Sequence, residues 1–156
     1  MTTIAWDGTT LASDSQGSGS FIYENGPKVF EHNGCLYGIA GDREAVEQAV
    51  RWIKASNLDP SSGEPPNLQT ENVGGLMINP QGECFVFEKR LIPFEVSTPH
   101  AEGSGQRFAM GAMLAGATAE DAVRIAIELD QESGGTVHKV SRNDLEFRAL
   151  RKAMME

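Results

Sequence analysis

The sequence predicts an α+β fold in a single domain spanning 1–156, and three observations carry that expectation. Short β-like runs are joined at Asp7-Gly8 and Asn33-Gly34, dipeptides that close tight hairpins. Helical periodicity appears in one stretch at 42–55 and in a late pair at 106–115 and from 118 onward. The order is therefore strands, one helix, strands, two helices, strand, which sets hairpin-connected strands beside grouped helices. Two stacked antiparallel sheets between two helical layers satisfy this order. A two-layer arrangement satisfies it as well.

Each element has a local reason. Thr3–Trp6 and 9–12 read as strands across the Asp7-Gly8 turn, and 28–31 and 35–40 as strands across Asn33-Gly34. From Asp42 the period changes. Ala45, Val46, Ala49, Val50 and Ile53 fall on one helical face, and Asp42 is placed to cap the free N–H groups at its start. The segment 57–72, "NLDPSSGEPPNLQTEN", is too rich in Pro, Ser and Gly for a stable helix. The runs 75–78 and Cys84–Phe87 form another pair, turning at Pro80-Gln81-Gly82, and 92–96 adds an edge strand, where Pro93 is tolerated. Helices follow at 106–115 and from Thr118, with Thr118 and Asp121 as a short capping box and Ala122, Ile125, Ala126 and Leu129 as the apolar stripe. Gly134-Gly135 ends this helix, 136–140 returns as a strand, and 143–156 closes the chain as a helix.

Composition narrows the class of function. Apolar residues make up 40% of the chain, as in globular proteins with a packed core. No apolar run is long enough to span a bilayer and no secretory signal opens the chain, so the cytoplasm is the expected compartment. Lys and Arg total 13 against 22 Asp and Glu, a formal charge of −9, which disfavours nucleic acid as a partner. The basic cluster Arg148-Ala149-Leu150-Arg151-Lys152 suits the C-terminal end of a last helix. Cys35 and Cys84 sit in strand-like runs and read as reduced core thiols. His32, His100 and His138 show no metal-ligand spacing, and Gly103-Ser104-Gly105-Gln106-Arg107-Phe108 lacks the last glycine of GxGxxG. No cofactor and no metal is expected, and without a P-loop the chain has no ATPase of its own.

The opening "MTTIAWDGTTLASDSQ" reads as a strand from its first residues, whereas chain termini are usually frayed. Thr2 is held there either to pack or to react. An N-terminal threonine carries two catalytic groups on one residue. Its hydroxyl is a poor nucleophile until a base takes the proton, and a free α-amine, with a pKa of about 7.7–8.0, is a well-matched base. The arrangement requires Met1 to be removed, and Met before a small residue is a start that a methionine aminopeptidase trims.

Three segments together resemble the proteasome β-type and HslV-type peptidases, which are N-terminal-nucleophile hydrolases. They are Thr2-Thr3-Ile4 with "LASDSQGS", then "KVFEHNGCLYGIAGDREAV", then "EGSGQRFAMGAMLAGATAEDAVRIAIELDQESGG". The resemblance implies a four-layer αββα sandwich and a threonine peptidase whose nucleophile is Thr2. It implies that Lys28 is the active-site lysine, that Asp14 holds that lysine charged, and that the backbone N–H of Gly41 stabilises the oxyanion. Ser104, Asp130 and Ser133 map onto a supporting group that fixes the amine and shuttles protons. It implies further a homo-oligomeric ring acting on polypeptides, with an ATP-dependent unfoldase as partner. The loop at 57–72 stands where such proteins carry more helix. A catalytically silent module for assembly or binding, and an amidase acting on a small amide, are the alternative readings.

Overall fold

The computed structural model describes residues 2–18, 22–24, 28–142 and 152–155. Eleven strands are described: β1 (Thr3–Trp6), β2 (Thr10–Ser13), β3 (Gln16–Ser18), β4 (Ile22–Glu24), β5 (Val29–His32), β6 (Cys35–Gly41), β7 (Val73–Ile78), β8 (Cys84–Phe87), β9 (Phe94–Val96), β10 (His100–Gly103) and β11 (His138–Ser141). The α-helices are α1 (Arg43–Ser56), α2 (Gln106–Leu114) and α3 (Ala119–Leu129). Residues 152–155 are also helical; the rest of the helix expected at 143–156, and most of the basic cluster within it, lies outside the described residues.

The strands form a four-stranded sheet in the order β10-β1-β2-β11, a five-stranded sheet β5-β6-β7-β8-β9, and a short ribbon of β3 and β4. All pairings are antiparallel. Alternation along each strand then sorts the apolar side chains into three cores. Ile4, Trp6, Leu11, Leu36, Leu76, Ile78 and Val86 pack between the two sheets. Tyr37, Ile39, Met77 and Phe87 point the other way, onto Ala45, Ala49 and Ile53 of α1. Ala5, Ala12 and Ala101 meet Ala109, Met113, Ala122 and Val123 of α2 and α3. The result is the expected αββα sandwich, with α1 on one outer face and α2 and α3 on the other.

Several local expectations are corrected. Asp42 does precede α1, but its side chain caps none of the helix N–H groups. Its carboxylate accepts from the Asn72 backbone N–H at 3.0 Å instead, tying the end of the 57–72 segment to the start of α1. On α3, Ile125 and Leu129 are exposed, while Ala119 and Val123 join Ala122 and Ala126 in the core. The buried stripe is shifted because small residues let α3 lie close against β1 and β2. Thr118 caps α3 as expected, accepting from Asp121 N–H at 3.2 Å. The 57–72 segment holds one turn of 3₁₀ helix, Pro60–Ser62, and is anchored by the buried Leu58 and Leu68. The edge strand falls at Phe94–Val96, outermost in its sheet, as Pro93 suggested. The sequence reading missed β10, a strand of mixed polarity that pairs along the whole of β1, and it missed the β3–β4 ribbon. No described helix is long and apolar enough to cross a membrane.

Candidate active site

β1 begins at Thr3, so Thr2 lies at the very entry to a buried central strand of the four-stranded sheet. β10 passes alongside, and its last residue, Gly103, pairs with Thr3. Only glycine fits there. Gly103 has φ +99°, and a Cβ would stand 2.1 Å from the Thr2 carbonyl oxygen. Immediately beyond it, Ser104 lies against the Thr2 backbone, and the chain enters α2. Thr2 is 2% exposed.

The opposite sheet supplies the charge. Lys28 precedes β5 and is buried. Its Nζ donates to Thr2 Oγ1 at 2.8 Å, to Asp14 Oδ1 at 3.1 Å and to the Gln16 carbonyl oxygen at 2.8 Å. An ammonium has three N–H donors, and these three acceptors lie within their reach. Burial holds the Lys28 ammonium below the ordinary lysine value, although the Asp14 carboxylate pulls it back up. Asp14 is wholly buried, and a buried anion needs partners. It has them in Lys28 and in the backbone N–H groups of Thr3 (3.0 Å), Gly134 (3.0 Å) and Gln16 (3.3 Å). The turn after α3 is thus fastened to the link between β2 and β3, which carries the lysine's counter-ion.

A second network surrounds the Thr2 nitrogen. That nitrogen donates to Ser104 Oγ at 3.2 Å. Ser104 Oγ lies 2.6 Å from Asp130 Oδ2 and 3.3 Å from the Thr2 carbonyl oxygen. A hydroxyl has one proton, and the carboxylate is both the nearer and the stronger acceptor. Ser133 Oγ donates to the same Asp130 oxygen at 2.6 Å, so in its 2.8 Å contact with Thr3 Oγ1 the threonine is the donor. Two relays therefore converge on one carboxylate oxygen: Thr2 N to Ser104 to Asp130, and Thr3 Oγ1 to Ser133 to Asp130. Burial would push the Asp130 carboxyl up, but the hydrogen bonds from Ser104 and Ser133 and the Glu132 backbone N–H outweigh it, and the group stays below the usual carboxylate range. Asp130 sits at the C-terminal end of α3, where the helix dipole disfavours an anion; these donors offset that.

Six of the seven residues singled out in the sequence, Thr2, Asp14, Lys28, Ser104, Asp130 and Ser133, are thereby joined in one hydrogen-bonded cluster. Gly41 is not a member of it. Gly41 ends β6 at φ +142°, where a Cβ would lie 2.0 Å from the Asn72 carbonyl oxygen, and α1 starts two residues later. The sequence reading missed Gln16, whose carbonyl holds Lys28, and Thr3, whose hydroxyl orients Ser133. Alternation along β1 was the available signal for Thr3, since it places that residue on the same face as Ala5, toward α2 and α3. The cysteines do not compete as nucleophiles. Both are buried and unpaired by disulfide, and burial pushes the Cys84 thiol up to about 12.

Beside the cluster lies an open cleft of about 680 Å³, lined by Ala40, Val73, Phe87, Ile92, Phe94 and Gly103 among others. Gly103 belongs both to the cleft wall and to the strand pairing that holds Thr3.

The sequence matches no protein-family model and no curated protein. The fold does match solved structures. HslV of Trypanosoma brucei is 17% identical, with a TM-score of 0.63, covering 90% of this chain and 97% of that one. Thiobacillus denitrificans BPH is 20% identical, with a TM-score of 0.62, covering 90% of this chain and 96% of that one. BPH has also been solved in complex with epoxomicin, with the same overlap. The chain has the fold of HslV, in agreement with the architecture that the sequence resemblance implied.

Proposed function

We propose that this chain is a threonine peptidase in which Thr2, once Met1 is removed, is the N-terminal nucleophile acting on peptides or unfolded polypeptides. The observation that carries the reading is the 2.8 Å contact from the buried Lys28 ammonium to Thr2 Oγ1. An ammonium bonded to that oxygen stabilises the alkoxide and so eases loss of its proton. Lys28 has its N–H groups engaged as donors, so the base is the Thr2 amine. Ser104 orients that amine, and Asp130 orients Ser104.

In the first step the Oγ1 proton passes to the amine, directly or through a water, as Oγ1 bonds to the substrate carbonyl carbon. The carbonyl oxygen takes the electron pair, and the backbone N–H of Gly41, beside the N-terminus of α1, is the proposed donor to it. The C–N bond then breaks, and the amine's proton goes to the departing substrate nitrogen. The remaining ester on Oγ1 is hydrolysed by water activated by the same amine, which restores Thr2. The HslV fold supports a hydrolase of this kind. From the sequence resemblance we propose further a homo-oligomeric ring in the cytoplasm, with an ATP-dependent unfoldase supplying the energy that a chain without a P-loop lacks.

Intact-mass measurement tests the proposal. The purified protein is expected to have lost Met1, to hydrolyse peptides, and to retain the mass of epoxomicin after exposure to it. Thr2→Ala is expected to lose both hydrolysis and retention. Complete retention of Met1 in a folded protein that cleaves nothing would overturn the reading and favour the silent-module alternative.

A further inference from the structure

We infer that the cleft beside Gly103 receives the part of the polypeptide on the leaving side of the scissile bond and selects apolar residues there; this rests on the peptidase reading. The leaving nitrogen must collect its proton from the Thr2 amine. That nitrogen is held on its Ser104 side, whereas Lys28 approaches Thr2 from the hydroxyl. The leaving segment therefore departs past Ser104, and the residue before Ser104 is Gly103, part of the cleft wall. Ala40, which precedes the proposed oxyanion donor Gly41, lines the same cleft, so the cleft borders the reacting centre through the residues that flank Gly41 and Ser104.

Its chemistry defines the occupant. Ile92 and Phe94 line the cleft and are 55% and 51% exposed. Large apolar side chains so exposed are the groups that gain from being covered. The charged residues lining the cleft, Glu88 and Glu102 against Lys89 and Arg90, balance one another, and Glu102 is paired with His100 at 2.8 Å. Net charge therefore selects nothing there, and the apolar wall does. β9, which carries Phe94, is the outermost strand of its sheet, an edge suited to an extended chain.

The test uses processed protein and peptides with one acyl side. One set is extended past the scissile bond by Leu or Phe, a second by Gly or Ser, and a third ends in a small anilide. Wild type is expected to prefer the apolar extension over Gly by about tenfold in kcat/KM, the scale of one apolar side chain in a pocket. Phe94→Ser and Ile92→Ser are each expected to bring that ratio toward one. An anilide cleaved normally with no leaving-side preference, or a preference that survives both substitutions, overturns this inference and leaves the peptidase reading standing. Failure to cleave any of the three sets overturns the peptidase reading, and this inference with it.

Discussion

Replacing Lys28 with Met separates two consequences of one buried ion pair. Met keeps the side-chain length and apolar bulk but removes the charge. Asp14, wholly buried, then loses its only cationic contact among the described residues, at 3.1 Å, while keeping the backbone N–H donors of Thr3, Gly134 and Gln16. Breaking a buried pair by removing one partner costs about 3–5 kcal/mol. The surviving donors hold the loss to the lower end, about 3 kcal/mol, since each bond to a charged acceptor contributes roughly 1.5–3 kcal/mol. In urea, with a slope near 2 kcal/mol per molar, that is a midpoint lowered by about 1.5 M. Peptide hydrolysis falls further than stability suggests, by about 10²–10³-fold, because a donor aimed at developing negative charge is lost. Adding Asp14→Asn to Lys28→Met removes the stranded anion and is expected to recover part of the stability and none of the activity. A Lys28→Met protein with an unchanged midpoint and full activity would refute the reasoning, because the cation would then neither neutralise Asp14 nor act on Thr2.

Other predictions follow from the same geometry. Ser104→Ala removes the acceptor of the Thr2 nitrogen and is expected to lower kcat about 10²-fold or more, the range of a disrupted acid–base group, with KM little changed in steady-state assays. The alkaline fall of activity should come below the ordinary lysine value of 10.5, because burial favours the neutral form of Lys28. In the same pH window the unfolded chain binds more protons at this group than the folded one, so folding stability should rise while activity drops; paired melts and rate profiles check both signs. Asp130, held below its ordinary value by its hydroxyl donors, contributes stability that persists above that value and is lost only as pH falls through the lowered one. Acid titrations of Asp130→Asn should lack that step. Gly41→Ala sets a Cβ against the Asn72 carbonyl at φ +142° and should cost at least about 1–3 kcal/mol of backbone strain, measured by denaturant unfolding.

Much of the fold could be read in advance because hairpin dipeptides and helical periods are local signals. β10 escaped notice because His100, Ala101, Glu102 and Gly103 have neither alternation nor β-branched residues; what makes them a strand is the neighbouring β1, a tertiary cause. The α3 stripe was misplaced for a related reason. Helical spacing admits either Ile125 and Leu129 or Ala119 and Val123, and only the close approach of β1 and β2 decides for the smaller residues. At the site, Thr2, Asp14 and Lys28 were accessible as chemical types at matching positions. Gln16 and the Gly134 N–H act through the main chain, where side-chain identity carries no information. Thr3 was hidden by its neighbour, since a second threonine in a strand invites a packing explanation.

The cation and the threonine hydroxyl enter the cluster from different sheets, Lys28 beside β5 and Thr2 beside β1. Neither sheet alone assembles a reactive residue. While the chain is being made, or whenever the sandwich opens, the leading threonine is an ordinary alcohol with no field acting on it. On the proposed peptidase reading, chemical competence would switch on only when the two layers close over Ile4, Trp6 and Leu36, an interlock against premature cleavage.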